Sequence, residues 1–301
     1  MKNSLKIAGL ALLTFVFTSC LKDEMALDPD NSTNVVEFKN PSSFVSPSGS
    51  KYSMYSQSFS LAPEADYPVT VSYSGADVAP SDITVTLGVD TAAVSQYNAE
   101  QDEEFDVLTS NLYTIPATVI IPKGQRTAQV VIKLKTEKFD FSMNYVLPIQ
   151  IKSASTGLVS GNFGTILLAV KAKNAYDATY TATGYVYHPA SPRALSKDKE
   201  LVTVSPTVVK VELGDLGGSN YFADLTINPT TNKVTITPSA GAAGAPYTQF
   251  DTALPTPYSP AWPNASKCNN TYDPATKTFY LRFGYLGASG WRVTEEILVR
   301  K

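Results

Sequence analysis

From Val35 onward the chain runs in short segments that alternate apolar and polar residues, the period-two pattern of strands with one buried face. Val35 to Phe38, Ser56 to Leu61, Val69 to Tyr73, Ile83 to Val89, Thr118 to Ile121, Thr127 to Leu134, Tyr145 to Ile151 and Thr165 to Val170 are predicted strands. Gly, Pro, Ser and Asp punctuate them, which predicts an antiparallel sandwich. Pro122-Lys123-Gly124-Gln125 reads as a hairpin turn. One helix is expected, over Ala92 to Tyr97, with the acidic run Glu100 to Asp106 behind it.

A second set of strands follows: Tyr180 to Tyr187, Thr203 to Leu213, Tyr221 to Ile227, Lys233 to Thr237, Thr278 to Tyr285 and Arg292 to Val299. Asn228-Pro229-Thr230-Thr231-Asn232-Lys233 and Asp273-Pro274-Ala275-Thr276-Lys277 predict hairpins. In each, an Asx side chain bonds the turn backbone while proline presets φ. Between these turns lies an irregular, proline-rich segment, Ser239 to Asn270. A short charged connection at Lys171 to Ala175 places a domain boundary. The expected fold class is all-β, with two antiparallel β-sandwich or barrel-like modules in tandem after a lipidated tether. The expected divisions are 1–19 signal peptide, 20–34 flexible tether, 35–172 Ig-like sandwich and 176–301 antiparallel β domain.

The first residues break the strand pattern. Lys2 and Lys6 precede an apolar run, Ile7 to Phe17, and Thr18-Ser19 precede Cys20. That run is shorter than the roughly 20 residues that cross a bilayer, so it reads as a removed signal peptide with Cys20 as the lipidated first residue. Phe17 stands where a lipoprotein box usually carries Leu, Val or Ile, three residues before the cysteine. The location that the family resemblance described below implies is the outer membrane, lipid-anchored and exposed at the cell surface.

Composition narrows the chemistry. Lys and Arg number 24 against 27 Asp and Glu, a net charge of −3 without a long basic run, so nucleic acid is not an expected partner. With Cys20 lipidated, Cys268 is the one remaining thiol, which excludes an intrachain disulfide and a multi-cysteine zinc site; it reads as a small buried residue. The single histidine, His188, sits at a strand end and reads as a polar strand-end residue; one imidazole removes most familiar arrangements that need it, Ser-His-Asp and Cys-His pairs and multi-histidine metal sites among them. Glu100 to Asp106 lacks the spacing of a calcium loop and reads as a solvated acidic loop. Gly214-Asp215-Leu216-Gly217-Gly218 is not a dinucleotide fingerprint and reads as a loop. No catalytic site and no cofactor are expected, although paired carboxylates able to hydrolyse glycosides are common enough to keep a hydrolase as a third possibility.

The aromatic count is the positive signal: 17 Tyr and 13 Phe beside 2 Trp. Most of these rings are expected in the core. Exposed rings, however, stack on the C–H faces of sugars while neighbouring amides bond the hydroxyls. Trp262 and Tyr258, beside Asn264, Asn269 and Asn270 in the proline-rich segment, fit that requirement; Tyr247 lies in the same segment, and Trp291 joins from the start of the last strand. The competing reading is that both tryptophans plug the ends of the second core. The expected ligand is a glycan.

The order of the segments resembles a known family. Val35 to Phe38, Tyr97-Asn98, Tyr113-Thr114-Ile115-Pro116, Ile121-Pro122-Lys123-Gly124 and Tyr145-Val146-Leu147-Pro148-Ile149 resemble the N-terminal domain of unknown function of Bacteroidetes surface lipoproteins. Tyr272 to Leu281 and Arg292-Val293-Thr294-Glu295-Glu296 resemble its C-terminal partner. Leu21-Lys22-Asp23-Glu24 resembles the acidic surface-export signal of such lipoproteins. The resemblance implies an accessory of a glycan-uptake system, working with a SusC/SusD-like transporter complex. The D-x-x-D-x-D-x-E motif of the glycosidase that follows the first module in some relatives is missing, which implies binding without hydrolysis. Asp90-Thr91-Ala92 and Asp251-Thr252-Ala253 resemble the O-glycosylation motif of these bacteria, at Thr91 and Thr252. The alternative function is an adhesin or fimbrillin-like structural protein, whose sheet edges pair with other chains.

Overall fold

The computed structural model describes residues 33–243, 247–251 and 267–301. Cys20, Thr252, Tyr258 and Trp262 therefore lie outside the described residues, as do the signal peptide and nearly all of the tether. Among the described residues, no helix is long and apolar enough to cross a membrane.

The first module contains β1 (Val35–Phe38), β2 (Ser43–Phe44), β3 (Ser53–Ser60), β4 (Ala65–Ser74), β5 (Ile83–Val89), helix α1 (Thr91–Gln101), β6 (Asp106–Val107), β7 (Tyr113–Thr114), β8 (Thr118–Ile121), β9 (Thr127–Leu134), β10 (Tyr145–Ala154), β11 (Leu158–Val159) and β12 (Thr165–Lys173). They form a five-stranded sheet, β11-β1-β4-β9-β7, and a seven-stranded one, β2-β3-β12-β10-β5-β8 with β6 beside β10. The alternating residues of both sheets meet in one core that includes Val36, Tyr67, Val71 and Ile132 from the first and Tyr55, Val85, Leu147 and Leu168 from the second.

Three features depart from the expected antiparallel sandwich. Pairings β3–β12, β1–β11 and β6–β10 are parallel, so the module is mixed. The Pro122 turn does not make a hairpin: β8 pairs with β5 in one sheet and β9 with β4 in the other, so the turn carries the chain between sheets. Gly124, at φ 76°, donates its N–H to Ala79 O, and Lys123 N–H donates to Asp82 Oδ1, which ties that crossing down. Helix α1 is also longer than expected. It buries Ala93, Val94 and Tyr97 against Met54, Val146, Leu167 and Ala169, covering the outer face of the larger sheet. That cover explains why β10 and β12 read as unbroken apolar runs: both of their faces are buried.

The second module contains β13 (Ala178–Tyr187), β14 (Arg193–Ser205), β15 (Val208–Glu212), β16 (Phe222–Ile227), β17 (Val234–Pro238), β18 (Thr248–Gln249), β19 (Thr271–Asp273), β20 (Thr278–Gly287) and β21 (Gly290–Arg300). One expected strand, Thr203 to Leu213, is two: β14 ends at Ser205, a turn at Pro206-Thr207 follows, and β15 begins at Val208. Both Asx hairpins form as expected. Asn228 Oδ1 accepts from Thr230 N and Thr231 N at 2.9 and 3.0 Å, and Asp273 Oδ1 accepts from Ala275 N at 2.9 Å.

The sheet order is β17-β16-β15-β14-β13-β21-β20-β18, with β19 also on β20. It curls until its ends touch. Lys233 bridges Thr271, Val234 N–H donates to Asn270 O at 2.9 Å, and Gln249 stands in for a missing rung by accepting from Ile236 N and donating to Val234 O. Inside lie Tyr180, Leu201, Val209, Leu225, Phe279, Leu281, Phe283 and Leu298, a core separate from the first. The fold is all-β, in two tandem domains with curled, nearly closed sheets.

Candidate functional site at the far mouth of the second barrel

Strand register defines two ends of the barrel. Ala178, Ser205, Val208, Val234, Thr278 and Arg300 mark the end where the chain enters from the first module; Tyr187, Arg193, Glu212, Phe222, Pro238 and the Gly287-Gly290 turn mark the far end. Along β20 the core face carries Phe279, Leu281 and Phe283, so two residues further Tyr285 continues that face to the far rim. Along β21 the same face carries Leu298, Glu296, Thr294 and then Arg292, which sits directly opposite Tyr285.

The rings of three tyrosines converge there. Tyr221 lies 5.9 Å from Tyr285 and 6.2 Å from Tyr247, centroid to centroid, and all three are half-buried. Tyr247 Oη donates to Ala243 O at 3.0 Å, which orients its ring. Burial raises the Tyr247 hydroxyl above the ordinary tyrosine range, with Tyr221 and Tyr285 adding to the shift. The Arg292 guanidinium lies 5.3 Å from the Tyr285 centroid, and its Nη1 donates to Tyr285 Oη at 3.2 Å.

Charged groups complete the rim. Arg193 grips Asp215 with two bonds, Nε to Oδ2 at 2.5 Å and Nη2 to Oδ1 at 2.6 Å, and this holds the Asp215 carboxyl below its ordinary range. His188 accepts from Ala190 N and Ser191 N on Nδ1, at 3.0 and 3.1 Å. Burial and the neighbouring Arg292 and Arg193 lower its pKa. Beneath the rim, Lys199 and Glu296 form an ion pair, with side chains 0% and 1% exposed. Lys199 also donates to Glu212 O at 3.0 Å, and Gly214 N–H donates to Glu296 Oε2 at 3.3 Å.

Of the residues expected from sequence to bind a ligand, Tyr247 joins this mouth. Trp291 does not. It pairs with Leu286 on the opposite face of the hairpin and packs edge-on against Phe250, at 5.4 Å and 77°. Thr91 is exposed as the first residue of α1. Tyr221, Tyr285, Arg292, Arg193 and Asp215 were not singled out by sequence. The parity of the Phe279-x-Leu281-x-Phe283-x-Tyr285 run was the available signal for Tyr285, and the glycine-rich loop that looked inert is what carries Asp215 to the rim. Among the described residues, no group of three or more His, Cys, Asp or Glu is placed to hold a metal ion.

A concavity of about 910 Å³ lies at the near end between the modules, lined by Ser60, Leu61, Tyr176, Asp177, Tyr272 and Arg300 among others. Its polar groups are already engaged: Asp177 Oδ2 accepts from Thr203 N and Oγ1, and Arg300 Nη1 donates to Ala175 O. Tyr176 packs at 88° on Tyr272. These contacts hold the connection between modules.

Residues 38–158 match a family model described as an N-terminal domain, and residues 164–298 match another described as a C-terminal domain. A Bacteroides ovatus protein of unknown function superposes with a TM-score of 0.55 at 14% identity, covering 89% of this chain and 95% of that one. Another from the same organism, also of unknown function, gives 0.51 at 16% identity, covering 88% and 94%. A Bacteroides thetaiotaomicron protein described as an auxiliary nutrient binding protein gives 0.43 at 14% identity, covering 81% and 90%. For the two Bacteroides ovatus proteins, at these identities, the likeness is one of fold. No curated protein matches the chain. Among the described residues, the far mouth of the second module brings the ring faces of Tyr221, Tyr247 and Tyr285 beside the donors of Arg292.

Proposed function

We propose that the protein is a cell-surface lipoprotein that binds an oligo- or polysaccharide at the far mouth of its second domain without hydrolysing it. The carrying observation is the convergence of Tyr221, Tyr247 and Tyr285 beside Arg292. Ring faces take the apolar C–H faces of a sugar, and the guanidinium donates to its oxygens. The rim carboxylate Asp215 is clamped by Arg193 and held ionised, which makes it a poor proton donor and favours binding over acid-base cleavage. In this reading Cys20 carries the lipid, the first domain is a spacer from the outer membrane, and a SusC/SusD-like transporter receives the captured glycan. Thr91 and Thr252 are proposed O-glycosylation positions.

The test is a glycan-array screen of the mature chain with Cys20→Ser, followed by calorimetric titration of each hit. A saturable hit whose affinity drops in Tyr247→Ala supports the reading. A blank array on folded protein, or hits indifferent to Tyr221, Tyr247 and Tyr285, would overturn it.

A further inference from the structure

The upper half of the second barrel pairs its cations with carboxylates, Arg282 with Glu295 among them. Arg193 pairs with Asp215, Lys197 with Glu212, and Lys199 with Glu296. Arg193, Lys197 and Lys199 share one face of β14 with the core residues Leu195 and Leu201, so these pairs are laid down in register along a single strand. Arg292 is the exception: among the described residues no carboxylate lies within ion-pair distance of it. Its one acceptor is Tyr285 Oη, and its Nε is buried without a partner. A guanidinium carries five N–H donors, so most of its capacity is unspent.

The two undescribed stretches of this module, 244–246 and 252–266, contain no Asp or Glu, so neither can supply the missing charge. The nearby His188 Nδ1 accepts two backbone N–H bonds, so this imidazole adds no anion either. A cation held against ring faces, with its neighbours neutralised and itself not, calls for an anion from outside.

We infer that the glycan bound at this mouth is acidic, and that its anionic group, a uronate carboxylate or a sulfate ester, pairs with Arg292 while the sugar ring lies on the tyrosines. This rests on the glycan-binding reading above and narrows it to a substrate class. A charge-assisted, forked contact of this kind favours the charged ligand over its neutral counterpart by about tenfold or more.

The experiment titrates the full mature chain carrying Cys20→Ser with matched pairs of probes. Trigalacturonate is set against its fully methyl-esterified form, and N-acetylglucosamine 6-sulfate against N-acetylglucosamine, each with wild type, Arg292→Gln and Arg292→Lys. The expected result is about tenfold or tighter binding of one charged member over its neutral twin, lost in Arg292→Gln and partly kept in Arg292→Lys; which pair responds distinguishes carboxylate from sulfate. Equal binding of charged and neutral members, or a preference that survives Arg292→Gln, overturns the anionic inference and leaves the glycan reading standing. Absence of binding by every probe and every neutral glycan on folded protein overturns both. Should Arg292→Gln fail to fold, the salt response of wild type decides: the preference collapses between about 0.05 M and about 0.5 M salt if it is electrostatic, and a preference indifferent to salt overturns the inference.

Discussion

Tyr285 and Arg292 face each other across the last hairpin, with the guanidinium 5.3 Å from the ring centroid and Nη1 donating to Tyr285 Oη at 3.2 Å. The contact joins two faces of one design: Tyr285 ends a core-facing run of aromatic and aliphatic residues, and Arg292 ends a run that includes the buried Glu296. Where the core stops, the same register presents a ring and a cation to the rim.

The mouth and the outer face make opposite predictions for the aromatic variants. Tyr221→Ala and Tyr247→Ala each remove a ring face, and an aromatic contact contributes on the order of 1 kcal/mol, so glycan affinity is expected to fall roughly fivefold to tenfold. Trp291→Ala is expected to leave affinity unchanged, because Trp291 packs on Phe250 on the other side of the hairpin. Titration calorimetry checks both, and loss of binding in Trp291→Ala alone moves the site to the outer face.

Asp215→Asn is expected to lower stability by roughly 1 kcal/mol at neutral pH, a modest figure because both partners are about one-third exposed. The pair depresses the Asp215 pKa in the folded state, so its contribution is present above the unfolded value of about 3.9 and disappears as pH falls through the lower folded value. Thermal melts from pH 7 down to pH 2 should therefore show the wild-type and Asp215→Asn curves converging in acid.

Lys199 and Glu296 are buried together, so removing one partner strands the other. Lys199→Met is expected to cost about 3–5 kcal/mol, and Lys199→Met with Glu296→Leu to recover most of it. Burial already raises the Glu296 pKa despite Lys199, and without Lys199 it rises further. The folded state of that single variant then holds a proton that the unfolded chain releases, so its penalty relative to wild type grows as pH rises past the already raised Glu296 value of the wild type. A denaturant titration series at several pH values reads this out, and a penalty that shrinks toward neutral pH contradicts the assignment.

Gly184 lies opposite Glu296 in the β13–β21 pairing, and a Cβ there would sit 2.0 Å from Glu295 O. Backbone cannot yield as a flexible side chain does. Gly184→Ala is expected to destabilise the second domain by at least 1–3 kcal/mol, on the order of overpacking costs elsewhere, while the first domain, with its own core, keeps its transition. Calorimetry resolving two transitions tests it.

Much of the fold was legible in short-range pattern. Val35–Phe38, Ile83–Val89, Thr118–Ile121 and Thr127–Leu134 are strands with the expected bounds, because alternation and flanking turn residues are local properties. The hairpins at Asn228 and Asp273 follow from Asx bonding that spans two or three residues. Strand β14 shows where that legibility ends. Arg193, Lys197 and Lys199 occupy core-facing positions, so the alternation reads as surface until the carboxylates that neutralise them are brought in from Asp215, Glu212 and Glu296. The Pro122 turn was recognised as a turn, yet whether it folds back or crosses between sheets depends on β4 and β5, which lie tens of residues away.

Alternation, turn chemistry and aromatic content by themselves determined an all-β chain in two tandem modules, because each rests on contacts between near neighbours. Only the tertiary structure decided that Tyr221, Tyr247 and Tyr285 meet, that Trp291 turns away from them, and that Arg292 sits at the mouth with no carboxylate within ion-pair distance among the described residues. Those outcomes depend on how far a sheet curls before its ends close and on which distant carboxylate reaches which cation. Neither quantity is written in the spacing of residues along one strand; both are set by packing among strands far apart in the chain.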